Sequence, residues 1–271
     1  MRTGDTKQLS GPAPSRRIDP EETLMAAVLE PSLARRAIRL TLIAGAASLA
    51  LLALVFTREV HGQQAPLAAP RRLPAPAMDA PAGGGVQTAV LSGGCFWGVQ
   101  GVFEHVKGVR QVLAGYAGGR SGATAQYELV STGTTGHAES VKIVFDPAQI
   151  SYGEILRIFF SVATDPTQVG GQFPDRGPQY RTEIFYMDAA QKTVAERYIA
   201  QLTAAHAFAR PIATRVDAYS GFYPAEAYHQ NYLYLHPDQP YIAEFDLPKV
   251  QALATFFPAE YRASPVLAPR L

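Results

Sequence analysis

Val86-Gln-Thr-Ala-Val-Leu-Ser-Gly-Gly-Cys-Phe-Trp-Gly-Val-Gln-Gly-Val-Phe-Glu-His105 changes its periodicity part-way along. Val86 to Ser92 is a short apolar, β-branched run that stops at a glycine pair, which predicts a strand and a tight turn. From Cys95 onward Val99, Val102 and Phe103 recur at helical spacing, so a helix is expected to open at the cysteine. The first turn of a helix carries unpaired N–H groups and the positive end of the dipole, both of which favour an anion. The thiol pKa is therefore expected to be depressed and its nucleophilicity raised. Cys95 is the only cysteine and Trp97 the only tryptophan of the chain. A lone thiol makes no intramolecular disulfide and no multi-thiolate metal site. The competing reading of Cys95 is a small buried hydrophobe.

Strand and helix signals alternate outward from this stretch. Val109 to Ala117 reads as a second strand. His137 to Phe145 alternates with period two, which sets Glu139 on the apolar face with Val141 and Ile143. A carboxylate facing a core costs several kcal/mol unless neutralised or paired, so its pKa should rise and make it a proton donor near neutral pH. A glutamate at the sheet edge with its head in water is the alternative. Ser151-Tyr-Gly-Glu154 is a capping box before a helix carrying Ile155, Phe159 and Val162. A long loop from Asp165 to Gln179 follows. Thr182 to Met187 is then a strand, Asp188 to Ala205 an amphipathic helix and Ile212 to Val216 a further strand. The expected fold is α+β, a two-layer α/β sandwich with a mixed sheet, a ferredoxin-like core and a loop-rich C-terminal part.

The chain has 271 residues, formal net charge +1 and 47% hydrophobic residues, a balance with no basic excess for nucleic acid. No Gly-x-Gly-x-x-Gly fingerprint follows a strand. Residues 1–36 are polar and read as a cytoplasmic arm. Leu40 to Phe56 is uncharged and near the lower end of the roughly 17–25 apolar residues that cross a bilayer. Arg35, Arg36 and Arg39 precede it, so residues 37–57 are expected to be a transmembrane signal anchor that exports the remainder of the chain. Secretion after signal cleavage is the alternative, although a cleaved signal has a shorter leading segment. Residues 58–85, rich in Pro, Ala and Gly, read as a spacer. The catalytic domain is expected at 86–262, with a tail at 263–271. Glu226 and His229 look like half a metal site, but two ligands are too few. Packing of the Tyr-rich tail explains them better.

The assembled residues resemble the peptide methionine sulfoxide reductase A family. The resemblance runs through Gly94-Cys-Phe-Trp-Gly98, Gly115-Tyr-Ala-Gly-Gly119 and Thr135-Gly-His-Ala-Glu139. It continues in Asp165-Pro-Thr-Gln168, Gln179-Tyr-Arg181 and Ala225-Glu-Ala-Tyr-His-Gln230, over about residues 86–240. It implies reduction of the S epimer of methionine sulfoxide in proteins, peptides and free methionine. By matched position Cys95 is then the nucleophile and Glu139 the proton donor. Tyr127, Asp175 and Tyr180 complete the polar pocket, and Phe96 and Trp97 form the wall for the methyl group. The product on the enzyme is a cysteine sulfenic acid. The resolving cysteines of many relatives are missing here: Ser131 stands where some carry one, and the end of the chain has none. No bound cofactor or metal is implied, and an external thiol, a thioredoxin-like protein or a small thiol, must regenerate a monomeric catalytic domain. The loop before Asp175 also departs from the usual family form. Two rivals use the same lone sulfur: a one-cysteine thiol peroxidase or thioltransferase, and a membrane-tethered sensor that binds methionine sulfoxide without turnover.

Overall fold

The period-two pattern of residues 137–145 forms the central strand of a sheet, and its parity decides where Glu139 points. The computed structural model describes residues 69–269. In chain order its elements are β1 (Gln87–Gly93), α1 (Phe96–Glu104), β2 (Val109–Ala117), α2 (Tyr127–Val130) and β3 (Ala138–Phe145). There follow α3 (Tyr152–Ile158), β4 (Gly171–Gln172), β5 (Asp175–Arg176), β6 (Thr182–Tyr186) and α4 (Ala189–Ala204). The last are β7 (Arg215–Ala218), β8 (Phe222–Pro224), α5 (Tyr232–Leu235) and α6 (Leu247–Phe256).

The six-stranded sheet runs β7-β6-β1-β3-β2-β8. Its pairs are antiparallel except β6 with β7, so the sheet is mixed and the fold α+β. The inner strands follow the interleaved order of two split β-α-β units, with β3 between β1 and β2 and with β1 between β3 and β6. Ala89 pairs with Ile143, Leu91 with Val141, and across β2 Tyr116 faces Glu139. These residues share one face, and they are buried with Phe96, Val99, Val102 and Phe103 of α1 and with apolar residues of α3, α4 and α6. The opposite face carries only a small cluster of Val90, Ala117 and Phe185 beside Phe222.

Several boundaries differ from expectation. Cys95 is not in the helix but is its N-cap, with extended ψ of 122°. The strand expected at Ile212 starts instead at Arg215 as β7, and the Ala213 N–H before it is committed to the Pro166 carbonyl at 2.7 Å. The C-terminal part is less loop-rich than expected. It holds α6, whose Leu247, Val250 and Leu253 recur every three residues, with Pro248 in the first turn. A π-helical turn at Ile242–Asp246 leads into it.

The described part of the expected spacer is packed rather than free. Leu73 is 2% exposed and joins the main core. An extended Pro-rich chain has no hydrogen bonds of its own, and here side chains of α3 and α4 supply them. Arg157 Nε donates to the Leu73 carbonyl at 2.7 Å and the Tyr198 hydroxyl to the Pro74 carbonyl at 2.9 Å. Asp79 accepts from the Gly153 N–H at 2.7 Å and from the Ser151 hydroxyl at the start of α3. The expected tail is held too, since Val266 N–H donates to the Glu104 carbonyl and Ala268 N–H to Asn231 Oδ1. Leu73→Ala is therefore expected to cost about 2–5 kcal/mol, read as a lower urea midpoint. An unchanged midpoint would return this segment to a spacer. The arm at 1–36, the anchor at 37–57 and the first part of the spacer lie outside the described residues. Among the described residues no helix is long and apolar enough to cross a membrane.

Candidate active site

The end of β1 and the start of β3 bring the thiol and the carboxyl together. The register that pairs Leu91 with Val141 continues through Ser92 and Ser140, whose hydroxyls are 2.7 Å apart. It then sets Glu139 beside the Gly93-Gly94 turn. Gly94 adopts φ of +95°, and a side chain there would strike Gln172 at 2.6 Å, so the turn requires glycine. Beyond this turn the chain enters α1, and the Phe96 N–H donates to Glu139 Oε2 at 3.0 Å. One of the unpaired first-turn donors is thus spent on the carboxyl next to the thiol.

Cys95, Phe96, Trp97, Tyr127, Glu139, Asp175 and Tyr180, the residues singled out from sequence, all line one cavity of about 180 Å³. The cavity gathers them from the turn before α1, from α2, β3 and β5, and from the 3-10 turn Pro178–Tyr180. Asp175 reaches it despite the unusual loop before it. Tyr241 completes the lining and was missed from sequence, where it was one tyrosine among several in the C-terminal part. Its hydroxyl donates to Asp175, and its ring meets Trp97 edge-on at 6.1 Å.

The electrostatics are those of a largely buried, acid-lined pocket. Burial pushes Glu139 up to about 8, with the Phe96 N–H pulling the other way and Asp175 and Asp246 adding to the rise. Glu139 is only 3% exposed, so the edge-of-sheet alternative does not hold. The expected depression of the Cys95 thiol is reversed. Burial pushes it well above its ordinary value, and Asp246, Glu139 and Asp175 add to that, against Lys249 alone. A helix end offers a fraction of a charge, whereas loss of water acts on the whole thiolate. Burial raises Tyr127 and Tyr180 as well, with Glu139 next in effect for both, so their hydroxyls stay protonated donors. The resting site therefore holds a neutral thiol, a carboxylic acid and phenol donors around an aromatic wall.

A family model described as peptide methionine sulfoxide reductase matches residues 87–260. The chain belongs to this family. It is 52% identical over 190 residues to peptide methionine sulfoxide reductase MsrA 2 of Mesorhizobium japonicum, covering 70% of this chain and 97% of that protein. It is 46% identical to peptide methionine sulfoxide reductase MsrA of Thermus thermophilus, over 61% of this chain and 92% of the other. Among solved structures, reduced Mxr1 from Saccharomyces cerevisiae matches with a TM-score of 0.51 and 29% identity, over 57% of this chain and 87% of that one. The protein is an oxidoreductase, a methionine sulfoxide reductase of the MsrA type.

The reductase fixes its wall and its tyrosine from behind. The Trp97 indole N–H donates to His229 Nδ1 at 3.2 Å, and Tyr232 stacks on the indole at 3.9 Å. Burial holds His229 below its ordinary value, with Glu226 opposing, so the ring stays a neutral acceptor. Glu226 instead accepts from the Tyr127 N–H and the Tyr116 hydroxyl, each at 2.9 Å. The pair that looked like half a metal site thus orients Trp97 and the start of α2. Gln230 bridges Ala114 and Gln100 in the same layer. Only the fold gives these residues their partners, because those partners lie about a hundred residues or more away.

Proposed function

We propose that the reductase acts on the S epimer of methionine sulfoxide in proteins, peptides and free methionine through a Cys95 sulfenic acid that an external thiol resolves. The observation that carries this reading is the placement of Cys95 and Glu139 in one cavity, joined through the Phe96 N–H to Glu139 bond of 3.0 Å. Phe96 and Trp97 receive the S-methyl group, since a polarisable sulfur and its methyl pack well on rings. Tyr127 and Tyr180 donate to the sulfoxide oxygen, and Asp175 holds Tyr241 over the pocket.

The oxygen is a poor leaving group until protonated, so Glu139 delivers its proton as the Cys95 sulfur attacks the sulfoxide sulfur. Thiol and sulfoxide become sulfenic acid and thioether: methionine sulfur gains two electrons, cysteine sulfur loses two, and the oxygen moves between them. Glu139 regains a proton from the thiol that was consumed. A first external thiol then displaces water from the sulfenic acid to give a mixed disulfide, and a second thiol frees Cys95. Both must come from outside, because Cys95 is the only cysteine. A thioredoxin-like protein or a small thiol supplies them to a monomeric domain.

Separate S and R sulfoxide epimers, with dithiothreitol or a thioredoxin system, test this reading. Turnover of the S epimer alone is expected, and about one methionine per Cys95 when reductant is omitted. Equal turnover of the R epimer would overturn the stereochemical part. Rapid peroxide turnover without sulfoxide turnover would favour a thiol peroxidase. For location we propose a membrane-anchored domain on the exported side, from Arg35, Arg36 and Arg39 ahead of the apolar run. A C-terminal reporter enzyme active only in the cytoplasm would refute that orientation.

A further inference from the structure

An ion pair that the reaction above does not use lies against the first turn of α1. Lys249 donates to Asp246 Oδ1 at 2.9 Å, and the two residues are 9% and 0% exposed. They come from the end of the π-helical turn and the start of α6, and they meet α1 at Gly98. A methyl group on Gly98 would stand 2.1 Å from Asp246 Oδ1 and 2.9 Å from Lys249 Nζ. Gly98 is the third helical residue after the Cys95 N-cap, and the start of a helix folds that position back beside the N-cap side chain. Glycine at 98 is therefore what admits the pair beside the turn that the Cys95 N-cap opens.

The pair is not explained by stability. A buried ion pair adds little over apolar side chains of similar volume, because desolvation offsets its attraction. This one is also incompletely satisfied, since Asp246 Oδ2 is buried without a hydrogen-bond partner. An ammonium has three donor hydrogens, and Asp246 takes one of them. The other ionisable groups around the thiol are acids or phenols: Glu139 from β3, Asp175 from β5, Tyr127 from α2, and Tyr180 and Tyr241. Among the described charges that bear on Cys95, Asp246, Glu139 and Asp175 oppose a thiolate and Lys249 favours one.

We propose that Lys249 is a positioning residue for the nucleophile: held by Asp246 against the first turn of α1, its ammonium is the counter-charge for the Cys95 thiolate that forms as the sulfoxide oxygen is protonated. This rests on Cys95 being the attacking sulfur. Lys249 supplies the positive charge that the substrate-free pocket otherwise lacks, and Asp246 restrains it. Loss of the ammonium leaves only acids facing the sulfur. Loss of the Asp246 charge, with its shape kept, frees the ammonium for the sulfur, with Asp175 the remaining acid that acts on it. The two changes act on the thiol in opposite directions, which loosened packing does not.

The test is the rate of iodoacetamide alkylation of Cys95 across neutral to alkaline pH, in the full chain and in Lys249→Met, Lys249→Arg and Asp246→Asn. The single cysteine makes the signal unambiguous. Lys249→Met is expected to alkylate about tenfold more slowly at a given pH, equivalent to about one unit in the thiol pKa. Lys249→Arg should recover most of that rate, and Asp246→Asn should exceed the wild-type rate. Unchanged profiles, or Lys249→Met and Asp246→Asn shifting the same way, would overturn the proposal. Should Lys249→Met fail to fold, Asp246→Asn decides: a rate at or below wild type refutes it. Methionine S-sulfoxide turnover by the wild type, measured in parallel, separates the two readings. Opposite alkylation shifts without turnover would remove the reductase mechanism and keep the pairing, and turnover without shifts would do the reverse.

Discussion

Cys95→Ser is expected to lower methionine sulfoxide turnover by on the order of 10⁴-fold or more, the scale on which removing a covalent nucleophile acts. Serine offers a harder, far less acidic oxygen in a pocket that already disfavours an anion. Attack on a sulfoxide sulfur needs a soft, polarisable atom. The variant should also give no methionine in a single turnover without reductant and no adduct with a sulfenic-acid probe. Cys95 is 7% exposed, so the serine hydroxyl is buried, and the far-ultraviolet circular dichroism must match wild type before the loss is assigned to chemistry. Turnover within tenfold of wild type in a folded Cys95→Ser protein would remove the sulfur from the mechanism.

Glu139→Gln is expected to reduce kcat/KM by about 10²–10⁴-fold, the usual contribution of a positioned general acid. The substitution keeps the shape and still offers an oxygen to the Phe96 N–H, so the loss reports the proton and not the packing. The sign of the pH dependence follows from the carboxyl being pushed up to about 8 by burial. The donor is the protonated form, which is full below that value and is lost as pH rises through it. Wild-type kcat/KM should therefore fall on the alkaline side of about pH 8. Glu139→Gln has no proton to lose there, so its lower activity should lack that limb. An unchanged alkaline limb in the variant would assign the titration to another group.

Much of this site was legible because its main parts are local. The strand, the glycine turn and the opening of α1 lie in one short stretch, and Cys95, Phe96 and Trp97 are adjacent in it. Glu139 could be assigned to the core face because parity along a strand fixes the side on which a residue points. The signals failed where a local tendency met a tertiary one. A helix end by itself favours a lower thiol pKa, yet the Phe96 N–H is taken by Glu139 and desolvation dominates. Residues 69–81 have the composition of a free spacer, yet Leu73 joins the core and Arg157, Tyr198 and Asp79 complete the hydrogen bonding of the segment. Tyr241 carried no local mark that set it apart from the other tyrosines.

The sequence by itself determined which groups are available: one sulfur, no second cysteine to partner it, and a carboxyl on a core face. The tertiary structure alone decided how acidic those groups are and what surrounds them. Tyr241, Asp246 and Lys249 reach Cys95 from roughly 150 residues further along the chain, through a π-helical turn and α6. Spacing along a chain records which groups are available. The charge state of each depends on the water it loses and the charges it meets, and these exist only once the chain has folded.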